Sequence, residues 1–526
     1  MKKIGLISVM LIIVCGLLVA AGQSGAAGES SKVEMNPSGF PIFNETVTLS
    51  MFGPKSEIEA QWKDMIFFKK MEEMTNIAFD FETPGSAAFQ ERMSVRMAGG
   101  DLPDIFMRAG FSPQEQLQFG SRGAFLPLED IIDKYNPAFK KLMDSNAQII
   151  KQITSADGHI YALPDINEIS FDLTEKTWIR TEWLDALGLE MPTTTDELYT
   201  VLKAFKEGDP NGNGIADEIP LTVAGGTGGL KHYMLEAFGI RYLNGFPPFH
   251  ADADNQLSYI YATDAYLAYL KYMNKLYEEE LLDNNLFTNT RQELTAIGRE
   301  QRLGMYPHAA AFIYNVYDNN ELFEGAVPLT SEYNDTPFWP RKSGVNPGQM
   351  ALSTTNPYPE ASMRWADYFY TIEGSQLIDQ GVEGISWDWT DDTRTFWRKT
   401  LPEGMTDTTE WRAQNTLRGG PRARLTYWIG KLNSPHAIEL AEETGEKWLP
   451  IFEFVVPKLI LEEADQKKAA VINADLELYA ERMEAEFITG ETDFSEWAEY
   501  ISTLNKIDIE ELTAIYQKAF DKYNKF

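Results

Sequence analysis

From residue 47 onward, strand-forming and helix-forming runs alternate, and that order limits the possible folds more than any composition does. Val47-Thr48-Leu49-Ser50-Met51-Phe52 reads as a short strand, residues 58–75 carry Trp62, Met65 and Ile66 at helical spacing, and residues 77–81 return to strand. A second helix over 89–98 is broken by Gly99-Gly100-Asp101-Leu102-Pro103 and gives way to a buried strand at 104–107. Strands separated by helices predict a parallel sheet. Further on, 160–164 is expected to be a strand crossing into a second unit, in which Thr177-Trp178-Ile179-Arg180 is again strand. Thr194 or Thr195 caps a helix carrying Leu198, Val201, Leu202 and Phe205, and a strand at 219–222 follows. The end of the chain is helical over 469–487, 495–504 and 509–523, the last helix opened by Asp508.

Between that capped helix and the strand at 219–222 lies Asp209-Pro210-Asn211-Gly212-Asn213-Gly214-Ile215-Ala216-Asp217-Glu218. Oxygen donors at positions 1, 3 and 5 with a glycine at position 6 let a chain curl around one hard cation, which asks for six to eight oxygens. Asp209, Asn211, Asn213 and Gly214 satisfy that spacing, Ile215 stands where a backbone carbonyl is used, and Asp217 occupies position 9. Position 12 is Pro220, so Glu218 is the expected substitute for the bidentate carboxylate. A structural calcium clip is therefore expected, and a sensor is not. The plain alternative is an Asn-Gly turn without metal.

Of 526 residues, 44% are hydrophobic and 12% aromatic, enough for large cores, and the length suggests about two to four domains. The net charge of −33 argues against partners with phosphate backbones or anionic lipid surfaces. Residues 1–21 read as a signal peptide: Lys2 and Lys3, an apolar run, then Ala20 and Ala21. Gly22 stands where a lipid-modified cysteine would follow Leu18-Val19-Ala20-Ala21, so a lipid anchor is doubtful and an exported chain, periplasmic or at the cell surface, is expected. Cys15 is the sole cysteine, which leaves the mature chain without disulfides. Residues 22–43 read as a flexible tether.

Rings with planar polar groups beside them point to sugar, whose apolar faces are edged by hydroxyls. The candidates are Trp178 and Arg180, Tyr306 and His308 at the end of a strand, Trp387 and Trp389, and Arg108 with Phe111 just past the strand at 104–107. Each competes with a core role, and Trp183 and Trp365 are assigned to the core outright.

Several segments resemble the extracellular solute-binding proteins of ABC importers, carbohydrate type, including the alginate-oligosaccharide-binding proteins and the large sugar-importer lipoproteins. They are Gly99-Gly100-Asp101-Leu102-Pro103-Asp104, residues 158–164, residues 178–189, the loop from Asp209 through Pro220, Glu373-Gly374 with Gly381-Val382-Glu383-Gly384, and Phe487-Ile488-Thr489-Gly490. The resemblance implies an α/β, two-lobed periplasmic-binding-protein fold with crossing hinge strands and a helical C-terminal tail. It also implies calcium on Asp209, Asn211, Asn213, the Ile215 carbonyl, Asp217 and Glu218, and closure on an oligosaccharide that is passed to a membrane permease. The expected division is 44–164 plus 310–375 for the first lobe and 165–309 plus 376–526 for the second, in a monomer that binds no nucleic acid. Two alternatives stay open at this point. One is a secreted glycoside hydrolase, which needs a pair of carboxylates that nothing in this acidic chain singles out. The other is a receptor of the same fold for a peptide or other non-sugar solute. No Gly-x-Ser-x-Gly or His-Glu-x-x-His motif is present.

Overall fold

The computed structural model describes residues 32–169, 172–311, 314, 322–403, 408–432 and 435–525. The expected signal peptide and the first part of the expected tether lie outside these residues. Two sheets organise the rest. In the first, the strand order is Arg422–Arg424, Ala162–Asn167, Val345–Leu352, Ile105–Met107, Val47–Phe52, Ile77–Glu82. Val47–Phe52 pairs in parallel with both of its neighbours, as crossover helices require. Those helices are Ile66–Thr75 and Ser86–Gly99, and the first stops where Asn76 turns left-handed and feeds the next strand. Both sheet faces are covered: Met51, Met71, Ile105 and Trp365 belong to one core, and Phe52, Phe89, Phe106 and Phe125 to another.

The second sheet runs Phe323–Gly325, Thr177–Arg180, Leu303–Pro307, Ile219–Leu221. Helix Thr195–Glu207 packs beside it through Leu198, Leu202 and Phe205, its first turn capped by the Thr194 hydroxyl, which accepts from the Glu197 N–H. The helices Glu463–Thr489, Trp497–Lys506 and Ile509–Tyr523 share that core with Asp264–Glu278. Between the two sheets, Trp339–Arg341 and Phe452–Phe454 run side by side as a parallel ribbon. This is a two-lobed α/β fold with crossing strands.

Some stretches lie elsewhere than the sequence suggests. Residues 32–43 are not a free tether, because Ile42 and Phe43 are fully buried in the first core and Met35 bridges to Phe43. Ala162–Asn167 is an interior strand of the first sheet, so the crossing follows it instead of running through it. Phe323–Gly325, expected in the first lobe, adds to the second sheet beside Thr177–Arg180. Arg422–Arg424, expected in the second lobe, adds to the first, where Arg422 finds carboxylates for its buried guanidinium. Asp508 opens its helix at φ 82 without a side-chain bond to it.

Candidate functional site

A cavity of about 800 Å³ lies between the lobes. The first sheet supplies Asp165 and Asn167 from one strand and Arg424 from its neighbour, and the second lobe supplies Arg241, Phe249 and Tyr523. The crossing segments 342–344 and 454–458 close its back. One rim is fixed by backbone: the Phe111 N–H donates to the Gly348 carbonyl at 3.0 Å, and Gly348 sits at φ 77, where a Cβ would stand 2.0 Å from the Phe111 carbonyl oxygen. The helix Ile509–Tyr523 reaches over from the second lobe to touch the first. The Tyr523 hydroxyl donates to Gln148 Oε1 at 2.6 Å and the Lys522 ammonium to the Ala156 carbonyl at 3.1 Å. A smaller pocket of about 290 Å³ shares Asn167 and Ser343 with the main one.

Beneath the floor lies an ion network. Arg422 Nε is 3.0 Å from Asp165 Oδ1, its Nη1 reaches Asp379, and Arg412 pairs with the same Asp379 oxygen at 2.8 Å. Burial alone would raise the Asp379 carboxyl, but Arg422 and Arg412 outweigh it and hold the group well below the ordinary carboxylate range. Asp165 goes the other way, because its burial exceeds what Arg422 returns. Arg424 is paired with Asp172 at 2.6 Å, and Arg241 with Glu453. The cavity thus presents one carboxylate fixed from below, planar guanidinium groups, and rings: donors, acceptors and apolar faces together.

Most of the residues singled out from sequence do not meet here. Thr177–Arg180 is buried at every position, so Trp178 packs inward and donates its indole N–H to the His308 carbonyl at 2.8 Å. Arg180 is fully buried between the rings of Trp183 and Phe323 and donates to the Gln301 carbonyl. Tyr306 is likewise core, with its hydroxyl on the Ala311 carbonyl. Phe111 borders the cavity, but its ring is buried among Phe106, Phe119 and Phe125. Arg108, at φ 55, pairs with Glu59 at 2.9 Å. His308 is half-buried against Tyr314, and burial, with Arg291 and Lys176 nearby, pushes its imidazole down to about 4. Trp387 and Trp389 belong to a hairpin whose rings cluster with Trp397 and Trp428, where Trp387 is buried and Trp389 keeps a partly exposed face. The cavity residues Asp165, Arg241, Phe249, Arg424 and Tyr523 were not singled out, since nothing local separates them from other polar and ring-bearing positions.

The loop at 209–218 curls on itself. Asp209 accepts from the N–H groups of Asn213 and Gly214, Asn213 Oδ1 accepts from Ile215 N–H, and Asn213 Nδ2 donates to Asp217. Gly212 and Gly214 both have positive φ, and the Ile215 side chain points out to solvent at 60% exposure. Asp217 also pairs with Arg302 at 3.0 Å. Among the described residues no three His, Cys, Asp or Glu side chains converge as a metal ion needs. The donor set still suits a hard cation in kind, being all oxygen, and Glu218 Oε1 is buried without a partner.

A family model described as bacterial extracellular solute-binding protein matches residues 54–376. The chain is 30% identical over 538 aligned positions to FusA, a fructooligosaccharide ABC transporter substrate-binding protein of Streptococcus pneumoniae serotype 4, covering 98% of this chain and 97% of that one. The solved structure of S. pneumoniae FusA in complex with kestose superposes with a TM-score of 0.73 at 29% identity, covering 91% of this chain and 100% of that one. An EF-hand mutant of FusA in complex with fructo-nystose superposes with a TM-score of 0.72 at 28% identity and the same coverage.

Proposed function

From a chain that belongs to the bacterial extracellular solute-binding proteins, we infer an exported receptor of an ABC importer that holds an oligosaccharide between its lobes and hands it to a membrane permease. The observation that carries this is the cavity of about 800 Å³ walled by both lobes and backed by the crossing segments, a volume suited to a few sugar rings. Closure follows from that placement. A ligand that touches both walls is bound only when they are near, so binding shifts the population towards the closed form. Arg424, Asn167 and the Asp165 carboxylate supply paired hydrogen bonds from one side, and the exposed Phe454 of the crossing ribbon and Tyr523 of the second lobe supply apolar faces.

No bond is broken in this account. Hydrolysis of a glycoside asks for two carboxyl groups across the sugar, and Asp165 is the one acid among the described residues lining the cavity, tied to Arg422. We further propose that calcium binds at Asp209, Asn211, Asn213, the Ile215 carbonyl, Asp217 and Glu218 and pins the helix Thr195–Glu207 to the strand Ile219–Leu221. The unpartnered Glu218 oxygen and the EF-hand of the relative support this. Titration calorimetry with short fructooligosaccharides, followed by chromatography of the recovered sugar, tests the function. Saturable binding with the sugar returned intact is expected, and released monosaccharide or an absence of binding to any oligosaccharide overturns it.

A further inference from the structure

The chain carries 79 acidic residues against 46 Lys and Arg, yet the cavity lining reverses that balance. Lys151, Arg241, Lys342, Arg424 and Lys458 line it, against Asp165 alone. The two arginines have carboxylates behind them in Glu453 and Asp172, neither of which lines the cavity. The three lysines have no carboxylate partner among the described residues. Two of them rest on rings instead: Lys151 Nζ is 5.5 Å from the Tyr523 ring centre, and Lys458 Nζ is 5.8 Å from that of Phe246. A ring face attracts an ammonium through its quadrupole without neutralising the charge. On the crossing segment, Lys342 adds to the positive field felt by buried Lys176, whose amine burial pushes down to about 8.

In so acidic a molecule, uncompensated cations gathered at one concave site are a recognition feature, because any nearby carboxylate would otherwise neutralise them. Resting on the receptor reading above, we propose that the interlobe cavity selects oligosaccharides bearing acidic groups, uronate carboxylates or sulfate esters, over neutral ones. Lys458 and Lys342 mark the crossing side and Lys151 the first-lobe side, so an acidic chain laid across the cavity meets cations along its length. Lysines suit this role as point charges that follow a flexible anion, whereas the neutral rings of the chain lie on Phe454 and Tyr523. Asp165 accepts hydroxyl hydrogens at the floor, and its pairing with Arg422 offsets its charge so that it does not cancel the field.

The test is calorimetry on the full-length mature protein at pH 7 with three trisaccharides, namely a galacturonide, a sulfated sugar and kestose, each at low and at half-molar salt. Affinity at least about tenfold tighter for one acidic sugar than for kestose, shrinking with salt, supports the proposal, and the arm that wins names the acid. The K151Q/K342Q/K458Q variant is expected to lose that preference, and K151R/K342R/K458R to keep it. Equal or tighter binding of kestose, insensitive to salt, overturns the acidic preference and leaves the receptor standing. Binding of none of the three, with the protein shown folded by circular dichroism, overturns both.

Discussion

Arg422 Nε lies 3.0 Å from Asp165 Oδ1 across a parallel strand pair, and the same guanidinium reaches Asp379 from its other edge. Removing the cation leaves two carboxylates facing each other in a buried floor. Arg422→Met is expected to destabilise the protein by roughly 3–5 kcal/mol, the usual cost of breaking a buried pair on one side. Urea unfolding measures it, and a loss below about 1 kcal/mol would show that the network is not what holds the edge strand Arg422–Arg424 on the first sheet.

Gly348 holds φ 77 with the Phe111 carbonyl where a Cβ would go. Gly348→Ala is therefore strained twice, by backbone and by contact, and should cost about 2 kcal/mol or more. Because the displaced segment is the cavity rim, sugar affinity should fall alongside the melting temperature. A variant with native stability and native affinity would refute the rim assignment.

Calcium that binds only the folded chain raises its stability by about 2.7 kcal/mol at a hundredfold excess over Kd. A chelator should accordingly lower the melting temperature, and added calcium should restore it. Glu218→Gln should abolish most of that response, since it neutralises the carboxylate that, within this loop, has a buried, unpartnered oxygen. Identical melting with and without chelator in the parent protein would dispose of the metal.

His308 has its folded pKa lowered from 6.5 to about 4 by burial and nearby cations. Between those two values the unfolded chain takes up a proton that the folded chain refuses, so stability present above pH 6.5 is lost as pH falls through that window. Solvent screening of the half-buried ring reduces what the full shift would give to on the order of 2 kcal/mol. His308→Gln should flatten the melting-temperature profile between pH 6.5 and 4, and an unchanged slope would place the acid sensitivity elsewhere.

The early strands and helices are legible in the sequence because their signals are local. Val47–Phe52 alternates, Asn76 ends a helix, and Thr194 caps another beside Glu197. The oxygen-rich turn at 209–218 is legible for the same reason, its side chains closing on their own backbone. The strands Phe323–Gly325, Trp339–Arg341, Arg422–Arg424 and Phe452–Phe454 are three residues each, too short to show a period, and exist because a partner edge is waiting. The site is harder still. Trp178 and Arg180 have the composition of a sugar platform, yet they occupy an interior strand covered on both faces. Asp165, by contrast, gains its role from an arginine that no window around it contains.

That last pairing spans 257 positions of chain. The interior strand Ala162–Asn167 has both of its neighbours, Val345–Leu352 and Arg422–Arg424, supplied from beyond the entire second sheet. A polypeptide emerging in order can therefore assemble the second body while the first still lacks its middle and its edge. Such high contact order makes for slow maturation, and a fragment ending near residue 170 would leave Ala162–Asn167 unpaired on both edges and Ile105–Met107 on one, and aggregate. The same delay would suit the exported receptor proposed above, whose chain would have to stay threadable on its way out.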